Sequence, residues 1–347
     1  MVQPLACILS VSGPVLTQDE AKFLGETDPW GVIMMGRSCD TPPQVRALVE
    51  SIWSATGRET LIFIDQEGGR VARLRPPEWP AFPAAAAYGE LYARDRERGA
   101  EACWLGHRLL SHMLYDLGIR ADCAPVLDVR QPSASDVVGD RSFSSNADHV
   151  EKLSSAARWG LQDGAVAPVI KHVPGHGRAM VDSHKSLPVV SATLDELAVD
   201  FAPFQALRDA PMALTAHIAY DSLDPGTPAT HSSRVINEVV RRRIGFEGLL
   251  MSDDLGMDAL GDSLGERASK ALAAGCDVAL HCSGFVKDPG QILSEMREIA
   301  NSCGPLSDVS AERAARVEAV THRPEAFDAE WGWARFRELL PQLGAAA

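Results

Sequence analysis

The chain alternates short apolar, β-branched runs with amphipathic helical stretches, and this alternation repeats eight times. The strands it predicts are Leu5–Val11, Gly31–Met35, Leu61–Asp65, Arg120–Val129, Ala167–Val173, Met212–Ile218, Gly248–Asp254 and Cys276–Cys282. Helical patterns occupy most of the gaps, over Pro42–Ala55, Asp95–Leu117, Asn146–Asp163, Thr193–Asp209, Ser232–Arg243 and Gly265–Ala274. Strands that read as continuous apolar runs between helices belong to a parallel sheet covered on both faces. Eight such units predict an α/β fold, a (β/α)8 TIM-type barrel, which takes about 250 residues. A doubly wound sheet fits less well, because no G-x-G-x-x-G follows the first strand. The barrel is assigned to residues 1–323. Residues 324–347 form a helical extension packed on it, with Trp331, Trp333 and Phe336 at near-helical spacing as core aromatics.

Charge and cysteine usage narrow the function. Lys and Arg number 33 against 47 Asp and Glu, a net charge of −14. Such a surface repels phosphate backbones and anionic membranes, so nucleic acid and membranes are not expected partners. No stretch approaches the roughly 18–20 apolar residues of a membrane span. The 7 cysteines are scattered, without a C-x-x-C pair, which disfavours both a disulfide framework and common zinc spacings. Met1–Ser12 has no basic leader region, and a cytoplasmic location is expected. Cys276 and Cys282 flank the last strand and read as packing residues.

The predicted strands end on polar groups. Asp65 closes Leu-Ile-Phe-Ile-Asp, Asp128 closes Ala-Pro-Val-Leu-Asp, and Lys171-His172 close Val-Ile-Lys-His. His217 closes Leu-Thr-Ala-His, and Asp253 closes Leu-Leu-Met-Ser-Asp. Buried charges are costly unless paired or used. Five strands carrying them at one end describe a polar mouth on the C-terminal face of a barrel, where such folds build their chemistry.

Two loops add to this mouth. Asp65-Gln66-Glu67-Gly68-Gly69-Arg70-Val71 leaves a strand through two glycines and offers carboxylates to neighbouring hydroxyls, as a sugar site requires. Lys171–Pro188 is rich in Gly and Pro and places Asp182 and His184 two residues apart. In an extended stretch both side chains fall on one side. A carboxylate beside an imidazole fixes its tautomer and leaves the other ring nitrogen free to move a proton. The same residues admit a metal reading, with His172 and His176 spaced H-x-x-x-H. A metal-dependent barrel amidohydrolase using His172, His217 and Asp253 is one alternative, although the first strand lacks the H-x-H such enzymes carry. A non-catalytic sugar-binding barrel is another.

Four separated motifs resemble glycoside hydrolase family 3, in the right order. Val239-Val240-Arg241-x-Arg243-x4-Gly248-Leu249-Leu250-Met251-Ser252-Asp253-x2-Gly256 looks like its active-site signature. Lys171-His172-x-Pro174-Gly175-His176-Gly177 with Asp182-Ser183-His184 is similar to its β-N-acetylglucosaminidase branch, and Asp65–Val71 and Gly139-Asp140-Arg141-Ser142-Phe143 agree. Val173 stands where relatives often carry Phe. The resemblance implies Asp253 as nucleophile, His184 as acid/base and Asp182 as its dyad partner. It implies sugar binding by Asp65, Arg73, Arg141, Lys171 and His172, with no metal and no organic cofactor. The implied reaction is retaining release of terminal GlcNAc from small peptidoglycan fragments in cell-wall recycling; a monomer is expected. A β-glucosidase or a phosphorylase of the same family is the nearest alternative. A loop-borne acid is also expected to move on ligand binding, over Gly175–Ser186.

Overall fold

The computed structural model describes residues 3–132, 134–181 and 186–341. Eight strands form the main sheet: β1 (Leu5–Ser10), β2 (Pro29–Met34), β3 (Leu61–Ile64), β4 (Ala121–Asp122), β5 (Ala167–Val173), β6 (Met212–Thr215), β7 (Leu249–Met251) and β8 (Ala279–Leu280); a separate short parallel pair, Val189–Val190 with Ala219–Tyr220, lies outside it. Each pairs in parallel with its neighbours in chain order, and β8 returns to pair with β1. A parallel bridge between Met251 and Val278 joins the last strand to β7 and completes the ring. The expected (β/α)8 barrel is therefore the observed fold.

Strand residues alternate between two cores. One face points outward to the helices; the other fills the barrel with Ile8, Trp30, Ile33, Phe63 and Met251. Trp30 and Phe63 meet edge to face at 5.6 Å. Gly31 gives that ring its room, because a Cβ there would lie 2.6 Å from it. Leu306, Ala314 and Val317 join the same interior cluster from the helix Asp308–Ala319 and the turn before it, stoppering the N-terminal end. Asp277 ties this stopper down. It accepts from Arg241 Nη2 (2.9 Å), the Leu250 N–H (2.8 Å), Ser310 Oγ (2.7 Å) and Arg313 Nη1 (2.8 Å). Asp277→Ala leaves two guanidinium groups without their buried partner, and should cost about 3–5 kcal/mol in denaturant unfolding. A loss below about 1 kcal/mol would show the network to be idle.

Several expected elements differ in extent. The strand predicted over Arg120–Val129 is regular only at Ala121–Asp122. Pro125 has no N–H to give a ladder, so the chain beyond it follows β5 through irregular bonds such as Leu127 N–H to the Lys171 carbonyl (2.7 Å). Thr193–Asp209 is helical only over Ala198–Ala206, and Ser232–Arg243 becomes a π-helix, Val235–Ile244. The terminal helix spans Ala329–Leu339 and buries Phe336 and Leu339. It packs on the helix Arg96–Asp116, where Arg335 forks onto Glu101 at 2.7 and 2.8 Å. Trp331 departs from the core reading. It lies on the outer side of that helix and is 54% exposed. Among the described residues, no helix is long and apolar enough to cross a membrane.

Candidate active site

The C-terminal strand ends surround a cavity of about 300 Å³. Asp65, Glu67, Arg73, Arg141, Lys171, His172 and Asp253 all line it. Sequence motifs far apart in the chain thus share one cleft, including each expected sugar-binding residue.

Lys171 is its electrostatic centre. The side chain, only 3% exposed, sits 3.1 Å from Asp65 and 2.6 Å from Glu67. Arg73 Nη2 donates to the other Asp65 oxygen at 2.8 Å, and Arg141 forks onto Glu67 at 2.7 and 2.8 Å. Burial alone would push Glu67 up, but Arg141 and Lys171 outweigh it and hold the carboxyl at about 2. Burial likewise opposes the ionised form of Asp65, and Lys171 with Arg73 keeps it well below the usual carboxylate range. Both carboxylates stay ionised, and therefore pure acceptors, at any working pH.

The loop after β3 is built to present them. Gln66 accepts from the Arg73 and Leu74 N–H groups at 2.8 and 3.0 Å and donates to the Leu74 carbonyl at 3.0 Å, closing the turn on itself. Gly68 and Gly69 have φ of 95° and 56°. Any side chain there would strike the Pro83 carbonyl or Ala84 at 2.3 and 2.7 Å. Glu67 belongs to this motif, yet its spacing alone does not single it out. Only the fold brings it to Lys171 and Arg141.

Asp128, fully buried, organises the second group. It accepts from His172 Nδ1 at 2.7 Å and from the His176 N–H at 2.6 Å. Burial opposes its charge, but the two histidines prevail and hold it at about 2. With Nδ1–H committed to Asp128, His172 turns Nε2 to Arg141 Nη2, 3.4 Å away.

Asp253 stands just beyond β7, and the Asp254 N–H donates to its Oδ1 at 2.8 Å. Cys282 also borders the cleft and gives its backbone N–H to Asp254 Oδ1 at 3.0 Å, while its side chain packs in the interior apolar cluster as expected. Burial pushes its thiol up, which keeps it inert.

His217 departs from the polar-mouth reading. Its Nδ1 meets Thr230 Oγ1 at 2.7 Å and its Nε2 meets the Asp254 carbonyl at 3.1 Å. A carbonyl only accepts, so Nε2 carries the proton and offers no lone pair to the cleft. The His172, His217 and Asp253 set for an amidohydrolase metal is accordingly not assembled. Among the described residues, no group of three or more His, Cys, Asp or Glu is placed to hold a metal ion.

Asp182 and His184 lie outside the described residues, as does part of the loop expected to move. The segment leading to them is tied at several points. The Gly175 carbonyl accepts from Tyr220 Oη at 2.7 Å, and the Gly177 carbonyl from the Gln131 N–H at 3.0 Å. Arg178 Nε donates to Asp200 at 2.6 Å. Gly177 is pressed on the Val129 carbonyl, where a Cβ would approach to 1.9 Å.

Fold and cleft together define a barrel hydrolase of the glycosidase class: one open end, acidic strand tips, and fixed cations holding those acids ionised. Residues 8–318 match the glycosyl hydrolase family 3 N-terminal domain, and the chain belongs to that family. The β-hexosaminidase of Thioalkalivibrio sulfidiphilus is 34% identical over 94% of both chains. That of Alkalilimnicola ehrlichii is 36% identical over 88% of this chain and 87% of its own. Among solved structures, NagZ from Neisseria gonorrhoeae in complex with N-trifluoroacetyl-D-glucosamine superposes with a TM-score of 0.84 at 29% identity, covering 97% of this chain and 98% of that one.

Proposed function

We propose that this protein is a retaining exo-β-N-acetylglucosaminidase that removes terminal non-reducing GlcNAc from small peptidoglycan fragments during cell-wall recycling. It acts in the cytoplasm as a monomer, without a metal or organic cofactor. Residues 1–323 are the catalytic barrel and residues 324–347 an appended helical segment. The observation that carries this reading is the small cleft in which Lys171, Arg73 and Arg141 hold Asp65 and Glu67 ionised beside Asp253. Ionised carboxylates and fixed cations lining one small cleft suit the hydroxyls of a single pyranose. The N-trifluoroacetyl-D-glucosamine in the complex of the gonococcal relative supports the same sugar here.

In the first step an oxygen of Asp253 bonds to the anomeric carbon as the glycosidic C–O bond breaks. His184, oriented by Asp182, gives its proton to the leaving oxygen. In the second step water attacks the anomeric carbon, His184 takes the water's proton, and the bond to Asp253 breaks with net retention. Asp65, Arg73, Arg141, Lys171 and His172 hold the sugar.

The test compares aryl β-GlcNAc with aryl β-glucoside, with and without phosphate and with exhaustive chelation. GlcNAc release should exceed glucose release by a factor on the order of 10² or more, independent of phosphate and chelator. Preference for glucose, a sugar phosphate product, or loss on chelation would each overturn the reading. His184→Ala should slow a sugar leaving group by roughly 10²–10⁴ and a dinitrophenyl leaving group far less. Equal losses on both would remove His184 from the acid role.

A further inference from the structure

Behind Asp253 lies a buried charge cluster that the proposed reaction does not use. His281 follows β8 and is 1% exposed. Its Nδ1 lies 3.1 Å from Asp254 Oδ1, and its Nε2 lies 3.2 Å from Glu295 Oε2 and 3.1 Å from Ser283 Oγ. Glu295 comes from the helix Pro289–Ser302 and is steadied by Gln291 Nε2 at 3.0 Å. Asp254 accepts in addition from the Gly256 and Cys282 N–H groups, both at 3.0 Å. Arg37, from the turn after β2, donates to the Ser283 and Cys282 carbonyls at 3.0 and 2.8 Å. The groups facing His281 are thus two carboxylates, with one guanidinium on the neighbouring backbone. Burial favours the neutral ring, but Asp254 and Glu295 outweigh it and push His281 up to about 9. At neutral pH the ring is a buried cation between two anions.

Geometry gives this cation a task. Asp253 and Asp254 are consecutive, and both line the cleft. Two adjacent carboxylates repel each other, and an unbalanced Asp254 would tend to swing toward solvent. The Asp254 side chain is instead held from behind, so its backbone N–H stays aimed at Asp253 Oδ1 at 2.8 Å. One oxygen of Asp253 is then fixed, and the other is left to attack.

We propose that His281 is a positioning residue for the glycosylation step: clamped between Asp254 and Glu295, it locks the loops after β7 and β8 together and fixes the orientation of Asp253. This rests on Asp253 being the nucleophile. Misplacing a reacting group by about 1 Å costs on the order of 10² in rate.

The experiment uses a 5-fluoro-β-N-acetylglucosaminyl fluoride, whose good leaving group needs little proton donation. Covalent labelling is followed by intact mass. The final extent of labelling counts competent sites, while the rate constant at saturating reagent reports the attack itself. His281→Gln, which cannot carry the charge, should label to the same extent as wild type but 10- to 100-fold more slowly. Half-saturation should stay within about threefold, as the sugar contacts are untouched. A purely structural residue would lower the extent of labelling or the melting temperature and leave the rate constant unchanged, which overturns the proposal. If His281→Gln fails to fold, Glu295→Gln keeps the ring and removes one of its anchors. It should label severalfold more slowly at full extent, and an unchanged rate there overturns the proposal too. Peptide mapping separates this from the underlying reading: labelling of wild type at a residue other than Asp253 refutes the nucleophile assignment instead.

Discussion

Asp253→Asn is expected to yield a folded protein that binds GlcNAc and scarcely turns substrate over, with kcat down on the order of 10⁴ or more. Asn keeps the shape, so its carbonyl can still accept from the Asp254 N–H that meets Oδ1 at 2.8 Å. What it lacks is an anionic oxygen able to bond the anomeric carbon. The loss should fall on kcat with activated and natural leaving groups alike, because both require the glycosyl-enzyme. A sharper form uses Asp253→Gly with added azide. The small anion enters the vacated space, attacks from the nucleophile's face, and should restore turnover with an α-glycosyl azide as product. Turnover by Asp253→Asn close to wild type, or a β-azide from the glycine variant, would displace Asp253 from its role.

Lys171→Met has the second largest expected effect, and it reaches stability as well as catalysis. Lys171 bridges Asp65 and Glu67 at 3.1 and 2.6 Å from a nearly sealed position. Removing one member of a buried charge cluster costs about 3–5 kcal/mol, because the remaining charges keep their desolvation penalty. Against a total stability of about 5–15 kcal/mol, that is a large fraction. The pH dependence has a definite sign. In the native protein Glu67 lies at about 2, below its ordinary 4.5. The stability it contributes is therefore full above about pH 4.5 and is lost as pH falls toward 2. Without Lys171 the carboxyl moves upward, so acid unfolding should begin at higher pH, and GlcNAc binding should weaken with it. Unfolding curves for the variant that overlay wild type at pH 7 and pH 4 would show that Lys171 carries neither duty.

Much of the architecture is legible in the sequence because it is written locally. The buried strands read as apolar runs, and β5 spans Ala167–Val173 as expected. The helix over Pro42–Thr56 likewise matches its pattern, with Thr41 as cap and Gly57 in a left-handed turn at its end. Helices such as Gln18–Thr27 and Pro289–Ser302 are absent from the expected set although each has a capping Thr or Asp. Gln18–Thr27 buries only Phe23 and Leu24 among its apolar residues, too few to make a stripe, whereas Pro289–Ser302 buries Ile292, Met296, Ile299 and Ala300 at helical spacing and is readable as a helix. Asp65, Lys171 and His172 are legible at the mouth from their strand-end positions, but their proposed sugar-binding roles, like those of Arg73 and Arg141, come only from the family resemblance, since nothing local joins Asp65 to Lys171. The His281 cluster shows the limit most clearly. Asp254, His281 and Glu295 are joined only because the barrel closes between β7 and β8, and no spacing encodes that closure. His217 shows the converse: a histidine at a strand end need not face the mouth.

The helix Asp308–Ala319 that stoppers the N-terminal end has a kinetic consequence. A barrel sealed below has a single doorway, so both halves of a cleaved substrate leave by the way they came. In the proposed two-step reaction the outer half departs first, and water reaches the anomeric carbon through the space it vacates. The released sugar, lying deepest, must exit before another chain end can enter. Free GlcNAc therefore competes with substrate for the same berth, and the traffic through the barrel is last in, first out.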